Sequence, residues 1–573
     1  MVIEDIEDLR EHLQWALEIE HATVPPYMCA LYSIPDGANP ECTEILRSVL
    51  MEEMLHLSLA ANILNAVGGA PQLDRPDFVP RYPARLPHSG MATRLSLAPF
   101  TPETVHSLMS VEHPEADDAP PQDEGYRTIA QFYAAIEAGL VGLTRELGHE
   151  GVFTGDPTRQ VRPDGAAYGG SGRIIPVRDL GSALEALAEI VEQGEGMDQQ
   201  SVWDGDRNMF HPERDELGHY FRLRQILEGR FFRQGDTPRS GPSGERFRVD
   251  WDAARPMAAN PGTNDHPPGS DVRSRMEDFG REYTRNLRLL HRVFNGEPEQ
   301  LGPAVGSMYE VGHLARALMQ IPLGDGTTAG PTFEPPAAPD PGALPVDRTF
   351  RVEIRPDGPY VVYGGLPLMR KEPVTSEMGE SLTWRTGTAV AAGESYALCR
   401  CGGSASKPFC DGSHSRVGFD GTESASREPL ESRQTVLEGV GLRVRHDPSL
   451  CAHAGFCFNR ATNVRRLLPQ ATDIQARTQL MAMIERCPSG SLAYDVPTDE
   501  EEPEGAHQPV EPDLTPAIAV TPDGPLWLTG GIPFLRSDGH TEEIRGRVTL
   551  CRCGRSANKP YCDGTHLEAG FTD

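Results

Sequence analysis

No run of about 18 apolar residues occurs in this chain, and its opening segment, MVIEDIEDLREHLQW, has no basic stretch ahead of an apolar one. A membrane span and a secretory leader are not expected, and the expected setting is the cytoplasm. Positive charge is also scarce. Lys+Arg number 53 against 84 Asp+Glu, a net charge of -31, and such a field repels phosphate backbones and anionic headgroups. Nucleic acid and membrane surfaces are therefore not expected as partners. No dinucleotide-binding fingerprint is present either, because GEGMDQQ follows a helical pattern rather than a strand. Redox chemistry here would draw its electrons from a separate reductase or reduced ferredoxin. Cysteine is missing between residues 43 and 398. Apart from Cys29 and Cys42, the 11 cysteines fall into three tight groups, 399/401/410, 451/457/487 and 551/553/562, which in a reducing compartment read as metal ligands rather than disulfides.

What is present divides into pieces. At about 150 residues per domain, 573 residues make three to five units, and a hydrophobic content of 38% excludes wholesale disorder. The first third is helical: Leu9, Leu13, Ala16, Leu46, Val49, Ala60, Ile63 and Val67 recur at three- and four-residue steps, with similar patterns near 126–147, 180–196 and 213–228. Residues 69–125 and 148–179 are rich in Pro, Gly and Asp and read as long excursions. The expectation is a helical bundle over 1–230, accessory helices in 231–321 and a Pro-rich linker at 322–348.

The C-terminal half contains a duplication. IRPDGPYVVYGGLPL at 354–368 returns as VTPDGPLWLTGGIPF at 520–534, and CRCGGSASKPFCDGSH at 399–414 returns as CRCGRSANKPYCDGTH at 551–566, identical at twelve of sixteen positions. The strand-like segments are offset by 166 residues and the cysteine motifs by 152, so the second copy has a shorter connection between hairpin and ligand loop. Each copy spaces its ligands C-x-C-x8-C-x3-H: Cys399, Cys401, Cys410 and His414, then Cys551, Cys553, Cys562 and His566. Three thiolates and an imidazole also form a zinc set, but zinc knuckles use paired C-x2-C spacing. The full loop resembles the CDGSH (mitoNEET-like) iron-sulfur family at every motif position. That resemblance implies two 2Fe-2S clusters, each with one iron on the C-x-C pair and the other on the third Cys and the His. It also implies a pairing of two motifs, which the copies at 349–425 and 515–573 would supply within one chain.

Between the copies, at 438–497, CAHAGFC (451–457) and Cys487-Pro488 resemble the divergent single-cluster ferredoxins, in which three cysteines remain. Ala454 stands where the middle cysteine of C-x2-C-x2-C would be. Cys451, Cys457 and Cys487 suit 3Fe-4S, or 4Fe-4S with a foreign fourth ligand, for which His453 is the nearest candidate although off by one. An acidic linker at 498–514 follows.

In the bundle, Glu20 falls on the apolar stripe of the first helix, and Glu53 and His56 fall on that of the second. A second Glu-x-x-His occurs at Glu216 and His219. Buried carboxylates are costly unless paired or bound to metal, and an i, i+3 Glu-His pair presents an oxygen and a nitrogen to one ion. The expected di-iron set is Glu20, Glu53, His56, Glu195, Glu216 and His219. Glu137 is the alternative or partner for the third-helix ligand, and Glu192 lies close by. LREHLQWALEIEHATVPPYMCALYSI, EEMLHLSLAANILNAVGGAP, IVEQGEG and ELGHYFRLRQI resemble the ferritin-like domain of the iminophenylpyruvate dimer synthase (VioB/RebD-like) family. The resemblance implies an all-α ferritin-like bundle and a place in bacterial natural-product chemistry on amino-acid-derived imines, and it is joined here to small α+β and β iron-sulfur domains. The first reading of function is a di-iron oxidase or oxygenase acting on a small amino-acid-derived metabolite, with electrons relayed through its own clusters. The alternative is an iron or redox sensor, or a cluster-transfer or electron-transfer protein, with no organic substrate. A homo-oligomer fits either.

Overall fold

A computed structural model describes residues 3–114, 121–122, 125–163, 172–196, 201–208, 210–211, 214–334, 350–376, 378–497, 507–510, 512 and 514–573. The chain forms two compact units, Met1–Pro336 and Ala337–Asp573. Among the described residues no helix is long and apolar enough to cross a membrane.

The first unit is helical. It contains α1 (Ile6–Ser33), α2 (Pro40–Ala66), α3 (Pro102–Val111), α4 (Ile129–Leu147), the single turn α5 (His149–Val152), α6 (Leu180–Glu195), α7 (His219–Glu228), α8 (Asp271–Val293) and α9 (Leu301–Leu318). The stripes read from the sequence are the core: Leu9, Leu13, Ala16, Leu46, Val49, Ala60 and Ile63 are all fully buried. Side-chain caps start several helices, with Asp5 accepting from the backbone of α1, Thr101 from α3 and Asp179 from α6. Helix α1 runs through Pro25 and Pro26. Pro26 has no N–H for the carbonyl of Ala22, and the hydroxyl of Tyr82 donates to that carbonyl instead, at 2.7 Å.

Two segments depart from the sequence reading. The pattern at 213–228 is only partly helical: Trp203–Arg207 (β1) and Asp215–Leu217 (β2) form an antiparallel hairpin, and α7 begins at His219 after Gly218. The Pro-rich linker expected from 322 begins later, because Thr328 bridges to Met257 and Pro322, and buried Phe333 packs on Phe279 and Tyr283. Its remainder, 335–349, lies outside the described residues, as does most of the acidic linker.

The second unit is built on strand exchange between the repeats. The first repeat contributes β3 (Arg351–Ile354), β4 (Tyr360–Tyr363), β5 (Leu368–Thr375), β6 (Ser381–Ala389) and β7 (Ser395–Leu398). The inserted domain has β8 (Thr435–Gly439), β9 (Leu442–His446), β10 (Leu492–Pro497) and β11 (His507–Val510), and the second repeat has β12 (Ala517–Val520), β13 (Leu526–Thr529), β14 (Phe534–Leu535) and β15 (Arg547–Leu550). One sheet runs β14-β3-β4-β7 and another β15-β13-β12-β5-β6. Each repeat thus lends the strand after its Gly-Gly turn to the other, β14 pairing parallel to β3 and β5 parallel to β12. One apolar core holds both halves, with Val352, Tyr360 and Leu398 from one and Ile518, Leu526 and Leu550 from the other. The longer connection of the first copy is the hairpin β5–β6, whose Trp384 packs on Phe456 of the inserted domain and on Trp527. The inserted domain has its own sheet, β11-β10-β9-β8, and its own core with Leu442, Leu480, Ile484 and Tyr494.

Candidate functional site

Five side chains meet inside the helical unit, none more than 5% exposed: Glu20, Glu53, His56, Glu112 and His219. They form two overlapping trios, Glu20–Glu53–His56 and Glu53–Glu112–His219, and within each trio one ligand atom per residue lies within 4.8 Å of the others. Glu53 is common to both. The imidazoles of His56 and His219 stack with centroids 5.3 Å apart. His56 Nδ1 lies 3.2 Å from Glu20, and His219 Nδ1 lies 3.1 Å from Glu53 and 3.6 Å from Glu112.

Of the residues expected from sequence, Glu20, Glu53, His56 and His219 are brought together. Glu216 is not with them. It sits on β2, not one helical turn ahead of His219, and its carboxylate lies 3.3 Å from Arg222 and accepts from Asn208 at 2.7 Å. Glu137 is exposed on the outer face of α4, and Glu192 is half-buried and in neither trio. Glu195 ends α6, and its side chain lies outside the described residues. The third carboxylate is Glu112, the residue that caps the C-terminus of the short helix α3. Sequence reasoning missed it because it lies within the Pro/Gly/Asp-rich stretch, where no helical periodicity was seen; Pro102 just after Thr101 is the helix-start signal that would have found α3.

A surrounding layer fixes these groups. Tyr133 donates to Glu20, Tyr27 to Glu112 at 2.9 Å, and Thr23 to Glu53 at 2.8 Å. The Nε2 atoms point outward, that of His56 to Gln193 Oε1 at 2.9 Å and that of His219 to Glu52 at 3.0 Å. The conspicuous QGEG segment of α6 therefore supplies an orienting amide, Gln193. Glu52 in turn pairs with Arg222 at 2.7 Å, and Arg222 also reaches Asp204 at 3.0 Å. Burial works against the Glu52 charge, but Arg222 and His219 outweigh it and hold its carboxyl down to about 2.

These residues fit a pair of metal ions. Burial, then the charge of Glu112, pushes the Glu53 carboxyl up to about 7, so the acids repel one another unless cations sit among them. His219 Nδ1 is buried and faces two carboxylates, Glu53 at 3.1 Å and Glu112 at 3.6 Å. An atom aimed this way with its other nitrogen tied to a carboxylate has the arrangement of a metal-ligating histidine. Oxygen donors with two imidazoles suit non-haem iron. A cavity of about 20 Å³ adjoins the donors, walled on its other side by Val111, Ile129, Ala130, Ile190 and Val191.

In the second unit the ligand atoms come in pairs. Cys399 and Cys401 lie 3.9 Å apart and Cys410 lies 3.4 Å from His414 Nδ1; in the second loop the values are 3.7 Å for Cys551–Cys553 and 3.3 Å for Cys562–His566. Among the described residues no three of these atoms in either loop lie within 4.8 Å of one another, whereas a tetrahedral zinc site would hold all four about 3.8 Å apart. The two loops abut: a Cβ on Gly402 would stand 2.7 Å from the carbonyl oxygen of Cys553, and one on Gly554 would stand 2.6 Å from that of Cys401. Burial pushes the Cys562 thiol up to about 12, so it ligates only when a metal displaces its proton. In the inserted domain Cys457 and Cys487 pack on the same core, and Cys451 follows a turn at Pro448–Leu450. His453 is turned away onto Gly564.

Comparison with known families matches each piece. A family described as Ferritin-like matches residues 13–228, one described as iron-binding zinc finger CDGSH type matches 357–415 and 523–567, and one described as divergent 4Fe-4S mono-cluster matches 437–496. The chain thus carries a ferritin-like helical domain followed by a sheet-containing region with two CDGSH domains and a divergent 4Fe-4S domain. It is an iron-binding redox protein. A crystal structure of a ferritin like protein from Caulobacter vibrioides resembles it at 20% identity and a TM-score of 0.40, over 58% of this chain and 100% of that one. No curated protein matches.

Proposed function

We propose that this chain is a di-iron oxidase or oxygenase acting on a small amino-acid-derived metabolite, with electrons passed through its own iron-sulfur units from a separate reductase or ferredoxin. The observation that carries the reading is the sharing of Glu53 between two buried trios, each completed by one carboxylate and one histidine. Glu20, Glu53 and His56 would hold one iron and Glu53, Glu112 and His219 the other; the pair supplies the capacity to reduce dioxygen. The residues do the rest. Glu53 fixes the spacing of the two positions, and Gln193 and Glu52 hold each imidazole with Nδ1 facing inward. Dioxygen reduction consumes protons, and the hydroxyls of Tyr133 and Tyr27 hold theirs on Glu20 Oε1 and Glu112 Oε1. The small cavity beside the donors has room for a molecule the size of dioxygen or water. The resemblance to the iminophenylpyruvate dimer synthase family supports an amino-acid-derived substrate.

The paired ligand spacing in each Cys-Cys-Cys-His loop supports a 2Fe-2S cluster in each, and the three cysteines with Ala454 between them support 3Fe-4S, or 4Fe-4S with a foreign ligand. Mössbauer spectra and iron-to-sulfide ratios of anaerobically purified protein, taken before and after dioxygen, test the reading. The expected result is two oxygen-ligated high-spin irons beyond the cluster iron, oxidised together by dioxygen. Finding cluster iron alone in fully loaded protein overturns the oxygenase and leaves the sensing or electron-transfer reading.

A further inference from the structure

The two Cys-Cys-Cys-His loops are near copies, yet one edge of the second is gripped and the same edge of the first is open. With the 152-residue offset of the motifs, Gly564 corresponds to Gly412, Asn558 to Ser406, Arg547 to Ser395 and Arg545 to Gly393. Gly412 and Gly564 share a left-handed backbone, φ 82° and 84°, which glycine adopts without strain. Their surroundings differ. A Cβ on Gly412 would meet nothing within 4 Å, whereas one on Gly564 would stand 2.9 Å from Cγ of His453. His453 lies two residues after Cys451 and itself has φ 57°, uncommon for a residue with a side chain. Its ring is laid across the segment that joins Cys562 to His566.

The rest of the ferredoxin-like ligand loops is held by the same repeat. Asn558 donates to the carbonyl of Ser449, two residues before Cys451, at 2.7 Å. Arg547, four residues before Cys551, donates to the carbonyls of Ile484, Glu485 and Cys487 at 2.7, 2.7 and 3.0 Å. Arg545 donates to those of Ser489 and Gly490 at 2.9 and 3.1 Å. The corresponding Ser406, Ser395 and Gly393 lack the length to make such contacts. Burial follows the same division: Cys562 and His566 are buried, whereas Cys410 and His414 are only half-buried.

We infer that this clasp makes the second Cys-Cys-Cys-His cluster the direct one-electron partner of the ferredoxin-like cluster, with His453 as the positioning residue between their loops and the first cluster as the next station across the Gly402–Cys553 contact. The inference rests on the iron-sulfur reading above. In each transfer one electron leaves the reduced ferredoxin-like cluster and one ferric ion of the second cluster becomes ferrous; no bond forms or breaks, and an external one-electron reductant restores the donor.

The test uses the full holoprotein. His414→Cys and His566→Cys each convert one cluster to all-thiolate ligation, which changes its spectrum, so the pair assigns each signal in the spectrum of the unaltered protein, in which the order of reduction is then read. Iron and sulfide analysis first establishes that all three clusters are present; a missing ferredoxin-like cluster in fully loaded protein sinks the underlying reading before any kinetics. Sub-stoichiometric dithionite, rapid freezing and electron paramagnetic resonance then report the order of reduction. The expected order is ferredoxin-like, second, first. His453→Ala, at unchanged cluster content, is expected to slow the first transfer several-fold, and His453→Phe, which keeps a ring over Gly564, to restore most of the rate. Simultaneous reduction of both loops, reduction of the first before the second, or a His453→Ala variant with unaltered transfer overturns the inference.

Discussion

Gln193 offers a measurement that isolates one half of the bundle site. Its Oε1 accepts from His56 Nε2 at 2.9 Å, and both side chains are buried. In Gln193→Leu the volume is nearly kept but the acceptor is gone, so a buried N–H is left unpaired. That costs about 1–3 kcal/mol, equivalent to about fivefold to 150-fold in affinity, which spans the loss of about tenfold to hundredfold found when the outer partner of a metal-ligating histidine is removed. The loss should fall on the ion held by Glu20, Glu53 and His56. The ion held by Glu53, Glu112 and His219 should keep its affinity, because Glu52 orients His219. Competition between a ferrous chelator and the holoprotein, with the two sites followed by Mössbauer spectroscopy, reads each affinity, and a thermal midpoint without bundle iron checks the fold. Two unchanged affinities, or equal weakening of both, would refute the reasoning.

Other outcomes follow from the same geometry. Glu112→Ala should remove one of the two bundle irons, whereas Glu137→Ala on the exposed face of α4 should remove neither; iron content per chain separates them. Arg222→Met should cost about 3–5 kcal/mol, because it leaves Glu52, Asp204 and Glu216 buried without their common cation; urea unfolding measures this. Burial pushes the Asp204 carboxyl up to about 7 despite Arg222, so the folded chain holds a proton there that the unfolded chain has lost above about pH 4. Its contribution to stability is complete below about pH 4 and is lost as pH rises to about 7. Asp204→Asn should flatten that part of the stability curve in protein without bundle iron.

The residues placed by helical register, Glu20, Glu53 and His56, could be read from the sequence because a carboxylate on an apolar stripe has to face the core. Glu112 could not, since a ten-residue helix between irregular segments gives too short a stripe to register, and Glu112 lies beyond its last turn. Glu216 misled for a related reason: the i, i+3 rule holds only where the backbone is helical, and Gly218 breaks it one residue before His219. Gln193 was invisible because an amide is not a metal ligand, and its role depends on what stands opposite. In the second unit the cysteine spacing, being local, was plain. The strand exchange was not, because nothing in β14 or β5 distinguishes pairing within a repeat from pairing across repeats except the register finally adopted.

That exchange bears on how the protein is made. The sheet carrying the first loop takes its edge from Phe534–Leu535, so the residues around Cys399 emerge from the ribosome long before the strand that completes their support. The whole inserted domain must be synthesised in between. The sheet that carries the first loop is therefore complete only once residues 534–535 have been synthesised. A chain released early, after the inserted domain but before residue 534, would carry every ligand of the first loop and still present an incomplete sheet.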